Sequence, residues 1–296
     1  MKNPLFYRIS QLVGFLLGAR IFIAVLLTFA LYVSTFFLFN QEETLRDFVF
    51  DFKVHGIIFC TVLSILAGGI INQFYDREKD QLTKPFRSRL QSFLKLKYFL
   101  YAYLTLLAVS LIISFFISPR VFVFFLIYHF FMWFYSHKLS KVLIINNLTF
   151  VSLTLYPFFG MMVYYRTFSV KVFLLAVFLF LMLLVMDIIK DILTKNADKI
   201  FGYTTIPNFF GNRIARWVVV TLCLSMMLCS VLIIRKTGVH SILHLYFAAG
   251  IAVVLITIYL LLSSHKKSNF FALNILRIWV FVGIIAMLLD GIVNMF

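Results

Sequence analysis

The run Ser169–Asp191, SVKVFLLAVFLFLMLLVMDIIKD, decides what kind of molecule this is. From Val172 to Met186 it has no charged side chain, and it then closes on Asp187-Ile-Ile-Lys190-Asp191. About 20 apolar residues in a row are what a helix needs to cross the hydrocarbon core of a bilayer. Carboxylates at the end of such a helix are costly unless they meet something positive.

Similar spans lie on both sides, near 14–38, 54–75, 97–117, 120–138, 144–165, 215–235, 242–262 and 273–294, so with 169–190 the chain holds nine. The hydrophobic fraction is 63%, the charged fraction 13% and the mean hydropathy +1.02. A water-soluble domain has about 45–50% apolar and about 25% charged residues, so one soluble core cannot hide this surface. Connections such as Ser118-Pro119-Arg120 and Tyr165-Arg166-Thr167 leave no room for an extramembrane domain. The expectation is an all-α polytopic membrane protein, residues 1–296 forming one integral membrane domain, with functional loops near 72–96 and 187–214. The first span has no cleavage site after it and is expected to stay in the protein.

The net charge of +16 does not imply a nucleic-acid partner. With the N-terminus in the cytoplasm, Lys and Arg divide 19 inside and 7 outside, and Arg20 in the first span completes the 27. That is the positive-inside pattern, in a plasma or inner membrane if the source is bacterial. Cys60, Cys223 and Cys229 fall inside spans without metal-ligand spacing and read as core thiols.

Six of the eleven carboxylates gather in two places: Asn72-Gln-Phe-Tyr-Asp76-Arg-Glu78-Lys-Asp80, and Asp187, Asp191 and Asp198. The four-residue steps of Asn72, Asp76 and Asp80 place them on one face if the second span continues as a helix. Asp187, Asp191, Thr194 and Asp198 make a second stripe. Oxygen ligands on one face suit Mg²⁺, which keeps several waters and takes other ligands from substrate phosphate. Lys84, Arg87 and Arg89 follow the first cluster, and Lys190, Lys195 and Lys199 punctuate the second; all suit phosphate oxygens. For either cluster alone, ordinary interfacial charge is an equal explanation. Their repetition on the same side favours a diphosphate clamp. Pro85 predicts a helix end at Lys84, after which a basic loop folds back.

These residues resemble the UbiA superfamily of intramembrane prenyltransferases. The first signature is Asn72-Gln73 with Asp76-Arg77-Glu78-Lys79-Asp80 and Lys84-Pro85. The second is Lys190-Asp191-Ile192, Asp198-Lys199, Gly202, Thr205-Ile206-Pro207 and Gly211, with Tyr135-Ser136, Lys141 and Asn147 between. The resemblance implies nine helices around a central cavity open to lipid, Mg²⁺, an isoprenyl diphosphate donor and a lipophilic acceptor. It assigns Asn72, Asp76, Asp80, Asp191 and Asp198 to metal, Asp76 and Asp191 being central to catalysis. Diphosphate contacts would be Arg20, Lys84, Arg87, Arg89, Lys141, Lys190 and Lys199, and Tyr135 would offer a ring face to the allylic cation. Thr194 stands where the family commonly has aspartate, so Asp187 is a substitute ligand. A quinone-precursor ring is the leading acceptor. The alternatives are a digeranylgeranylglyceryl-phosphate-type ether synthase, a membrane carrier, and an inactive relative serving as a binding subunit.

The remaining polar residues attract no role. Glu42, Glu43, Asp47 and Asp51 read as a solvated far-side loop, Asp290 as a residue reaching the outer interface, and His129 as a residue with no convincing partner. Gly68-Gly69 is the one place resembling a helix break.

Overall fold

The structure is a computed structural model and describes residues 4–40, 44–91, 96–263 and 267–295; the side chains of residues 4–8, 10, 87, 90 and 91 fall outside that description. The described chain is helical, without a strand. It forms two compact units. Met1–Tyr32 with Glu42–Ser140 contains α1 (Pro4–Gly18), the first part of α2 (Ile21–Ser34), α3 (Leu45–Val49), α4 (Phe52–Tyr75), α5 (Arg77–Thr83), α6 (Pro85–Gln91), α7 (Leu96–Ile117) and α8 (Pro119–His137). Val33–Gln41 with Lys141–Phe296 contains the end of α2 and its π-turn Thr35–Phe39, then α9 (Ile145–Tyr164), α10 (Val170–Ile200), α11 (Ile206–Phe209), α12 (Gly211–Ile234), α13 (Ile242–Leu262) and α14 (Ser268–Met295). Among the described residues, nine helices are long and apolar enough to cross a membrane, as the hydropathy predicts. The chain is an integral membrane protein.

In the first unit α4 is the central element and packs on α7 and α8. Ala67, Ile70 and Ile71 are buried with Phe99, Tyr103 and Ala19. Gly68-Gly69, the one place resembling a helix break, is not one, because α4 runs unbroken through both. The glycines serve close packing instead. A Cβ on Gly69 would stand 2.9 Å from the Ala19 carbonyl oxygen, which is backbone and cannot swing aside. The break falls in the first predicted span, 14–38, at Ala19-Arg20, where Arg20 takes a left-handed φ of 56°.

In the second unit α10 packs against α9, α11, α12 and α14. Met182, Val185, Ile188 and Ile189 on α10 are buried, and Phe178 meets Phe247 of α13 edge-on at 5.0 Å. Asp290, read as reaching the outer interface, has a structural role. It is buried and accepts from Ser241 Oγ at 2.6 Å and from the Leu243 backbone N–H at 3.4 Å, so it caps the start of α13 from another helix. Asp51 is likewise a cap, receiving the N–H groups of Lys53 and Val54 at the start of α4. Glu42 and Glu43 lie outside the described residues.

Candidate active site

The first acidic cluster is helical, not a loop, yet it is not one continuous helix. α4 ends at Tyr75, Asp76 bends at φ −90° and ψ 7°, and α5 restarts at Arg77. The i→i−4 backbone bonds nonetheless persist, Asp76 N–H to Asn72 at 2.9 Å and Asp80 N–H to Asp76 at 2.8 Å. Four-residue spacing therefore still brings neighbours together. Asn72 Nδ2 donates to Asp76 Oδ2 at 2.8 Å, and Lys84 Nζ meets Asp80 Oδ1 at 2.8 Å. Asp80 is buried, while the Lys84 side chain is 45% exposed. The helical run does end at Lys84, but Pro85 starts a new helix and the basic segment is α6, packed on α1. Arg89 on α6 is exposed, and the Arg87 side chain lies outside the described residues. Arg20 sits beside α4, its Cγ 3.3 Å from where a Cβ of Gly69 would be, about one turn before Asn72.

The second cluster rides on an unbroken helix. α10 has 31 residues, about 46 Å at 1.5 Å each, so its last ~10 residues exceed a ~30 Å hydrocarbon core. Asp187, Asp191 and Asp198 are all buried. Asn147 of α9 gives one Nδ2 to both Asp187 Oδ2 and Asp191 Oδ2, at 2.8 Å each. Asp187 Oδ1 takes Lys190 Nζ, which also lies 5.1 Å from the Phe150 ring centre. Thr194 Oγ1 donates to Asp198 Oδ2 at 2.7 Å. The expected loop 187–214 is thus helix to Ile200, then a tight turn and α11.

That turn explains the glycine after Asp198-Lys199. Gly202 has φ 71°, a left-handed value suited to glycine, and lets the Tyr203 N–H return to the Asp198 carbonyl at 2.9 Å. The turn then reaches Lys141, whose carbonyl accepts from Thr204 N–H at 3.1 Å and whose Nζ lies 5.4 Å from the Tyr203 ring centre. Lys199 is exposed in the last turn of α10, and Tyr135 is half-buried on α8.

Asn147 had a place in the sequence pattern but no assigned role. Two adjacent amides, Asn146-Asn147, opening an otherwise apolar span were the available signal. His129 also gains a partner, Ser64 Oγ at 3.0 Å from Nε2, inside the first unit.

Within each unit the carboxylates are held by amides, a hydroxyl and lysines; among the described residues no three His, Cys, Asp or Glu close into a cage. All the candidate donors are oxygen. Such an open, oxygen-only set fits a hard divalent cation completing its shell with water and phosphate, and does not fit a soft metal.

Residues 45–281 match the model of the UbiA prenyltransferase family. The chain belongs to this family. It is 33% identical over 165 residues to a digeranylgeranylglyceryl phosphate synthase of Methanosphaera stadtmanae, a match covering 55% of this chain and only 60% of that relative. A synthase of the same name from Thermococcus gammatolerans is 27% identical over 246 residues, 81% of this chain and 87% of its own length. A solved UbiA homologue from Archaeoglobus fulgidus, bound to GPP and Mg²⁺, shares the fold at a TM-score of 0.65 and 16% identity, covering 93% of this chain and 99% of that one.

Proposed function

We propose that this protein is a prenyltransferase that joins the allylic carbon of an isoprenyl diphosphate to the hydroxyl oxygen of a glyceryl-phosphate lipid. The C–O bond to diphosphate breaks with its electron pair leaving on the diphosphate; the acceptor hydroxyl forms the new ether bond and gives up its proton. Family membership supports group transfer, and the named relatives favour the ether-lipid alternative over a quinone-precursor ring. Their product carries two geranylgeranyl groups on one glyceryl phosphate, so an acceptor already bearing one is the matching substrate.

The observation that carries this proposal is two oxygen-donor sets on segments that also bear lysines: Asn72, Asp76 and Asp80, with Lys84 paired to Asp80, and Asp191 and Asp198, with Lys190 paired to Asp187 and Lys141 against the Tyr203 ring. These residues would hold Mg²⁺ and the diphosphate oxygens, with Arg20, Arg87, Arg89 and Lys199 as further phosphate contacts. When bound, Mg²⁺ neutralises the charge that develops on the leaving diphosphate. Lysine and arginine side chains act on the same charge, and do so better where water is scarce. A membrane interior keeps water from the allylic cation, and Tyr135 is the proposed ring facing it. The positive-inside count puts the N-terminus and both acidic sets toward the cytoplasm.

The test supplies purified protein with labelled geranylgeranyl diphosphate and either geranylgeranylglyceryl phosphate or a hydroxybenzoate ring, with and without chelator. Magnesium-dependent ether product with the first acceptor supports the proposal. Product with the aromatic ring alone would return the assignment to quinone-type chemistry, and metal-independent turnover would remove the magnesium site.

A further inference from the structure

In α10 the two carboxylates nearest the membrane are not equivalent. Asp187 has both oxygens engaged, Oδ1 by Lys190 Nζ and Oδ2 by Asn147 Nδ2. Asp191 has Oδ2 on the same amide at 2.8 Å, while among the described residues none hydrogen-bonds its Oδ1. Asn147 is only 1% exposed, and Asp187 and Asp191 are 5% exposed each, so water does little to hold these groups. The amide orientation follows from charge. An –NH2 has two hydrogens, one for each carboxylate, and turning it would set a carbonyl oxygen against two anions.

Resting on the magnesium–diphosphate reading above, we propose that Asn147 and Asp187 are positioning residues: they fix Asp191 so that its Oδ1 alone is presented to a divalent cation, and Asp187 is not itself a metal ligand. A cation seeking Asp187 must displace an ammonium already paired with it and break the hydrogen bond from Asn147. A cation seeking Asp191 finds one oxygen uncommitted and the other already anchored. Partners of this kind behind a metal ligand commonly change metal affinity by 10–100-fold when removed. Thr194 fits the same division of labour. Its hydroxyl donates to Asp198 Oδ2 at 2.7 Å, so Thr194 orients a carboxylate without being one.

The test counts bound metal in the full-length protein by titrating Mn²⁺ in the presence of inorganic diphosphate and reading free Mn²⁺ by electron paramagnetic resonance. Thermal unfolding without metal serves as the folding control. The near-isosteric Asp187→Asn should keep the wild-type number of Mn²⁺ ions but bind them about 10–100-fold more weakly, and Asn147→Ala should do the same. Asp191→Asn should lose an ion. The Mg²⁺ concentration giving half-maximal rate should rise in the first two variants by the same factor. If Asp187→Asn loses an ion as Asp191→Asn does, Asp187 is a ligand and the proposal is wrong. Unchanged Mn²⁺ affinity in a folded Asn147→Ala would also overturn it. If wild-type protein binds no Mn²⁺ at all, the magnesium reading itself falls, and this proposal goes with it.

Discussion

At the end of α4 the backbone gives way at Asp76, whereas α10 continues without interruption through Asp187, Asp191 and Asp198. The side-chain bonds differ in the same sense. In the first set the pairs of Asn72 with Asp76 and of Asp80 with Lys84 are local, one turn apart. In the second set the anchor comes from another helix, Asn147, 40 residues before Asp187 and 44 before Asp191. Local pairs can form and part without moving a helix. A cross-helix amide between two buried carboxylates cannot. The two pairs of the first set can therefore yield one at a time, whereas the amide of the second ties two carboxylates to a neighbouring helix together.

The largest expected effect treats both sets alike. Asp76→Asn and Asp191→Asn should each lower prenyl transfer by about 10²–10³-fold, the scale seen when one preorganised electrostatic contact to a transition state is removed. Turnover of labelled donor measures this, with helical circular dichroism showing that the fold persists. Retained activity in Asp76→Asn alone would mean that only the α10 set serves the reaction.

Stability should separate the two sets next. Asn147→Leu leaves two buried carboxylates short of a donor and should cost about 2–3 kcal/mol. Asn72→Ala removes a half-buried, local bond and should cost about 0.5–1 kcal/mol. Denaturation in detergent reads both, and equal costs would erase the distinction between local pairs and a cross-helix anchor.

Packing beside the first set gives an intermediate effect. Gly69→Ala places a methyl 2.9 Å from the Ala19 carbonyl oxygen and should cost about 1–3 kcal/mol by overpacking. An unchanged melting temperature would show that α1 can slide along α4. The smallest change is expected from Lys84→Met. Its side chain is 45% exposed, so the ion pair with Asp80 contributes under about 1 kcal/mol to stability whatever its role toward phosphate.

The sequence made some of this legible and concealed the rest for a physical reason. Spans follow from local hydropathy, and the pairs Asn72–Asp76 and Asp80–Lys84 follow from the helical repeat, so both were open to inspection of neighbouring residues. Asn147 with α10 and Asp290 with Ser241, 49 positions apart, depend on which helices pack together, and spacing carries no such information. The bend at Asp76 was hidden because its backbone bonds keep the helical pattern while the dihedral angles leave it. The helix break at Arg20 was hidden because the left-handed region is uncommon for residues other than glycine. Ile144 is a sharper case: a β-branched side chain at φ 65° just before α9, three positions from Asn147. Strain of this kind costs about 1–3 kcal/mol and tends to accompany functional geometry.

The unbroken length of α10 makes bilayer thickness a variable of this protein's chemistry. A rigid rod whose last turns carry Lys195 and the exposed Lys199 cannot lengthen when acyl chains do, so it must stand more upright, thin the bilayer around it or draw those lysines toward hydrocarbon. Turnover in nanodiscs should therefore peak at one lipid length and fall on the thicker side, where lipid dimensions begin to tune a reaction of lipids.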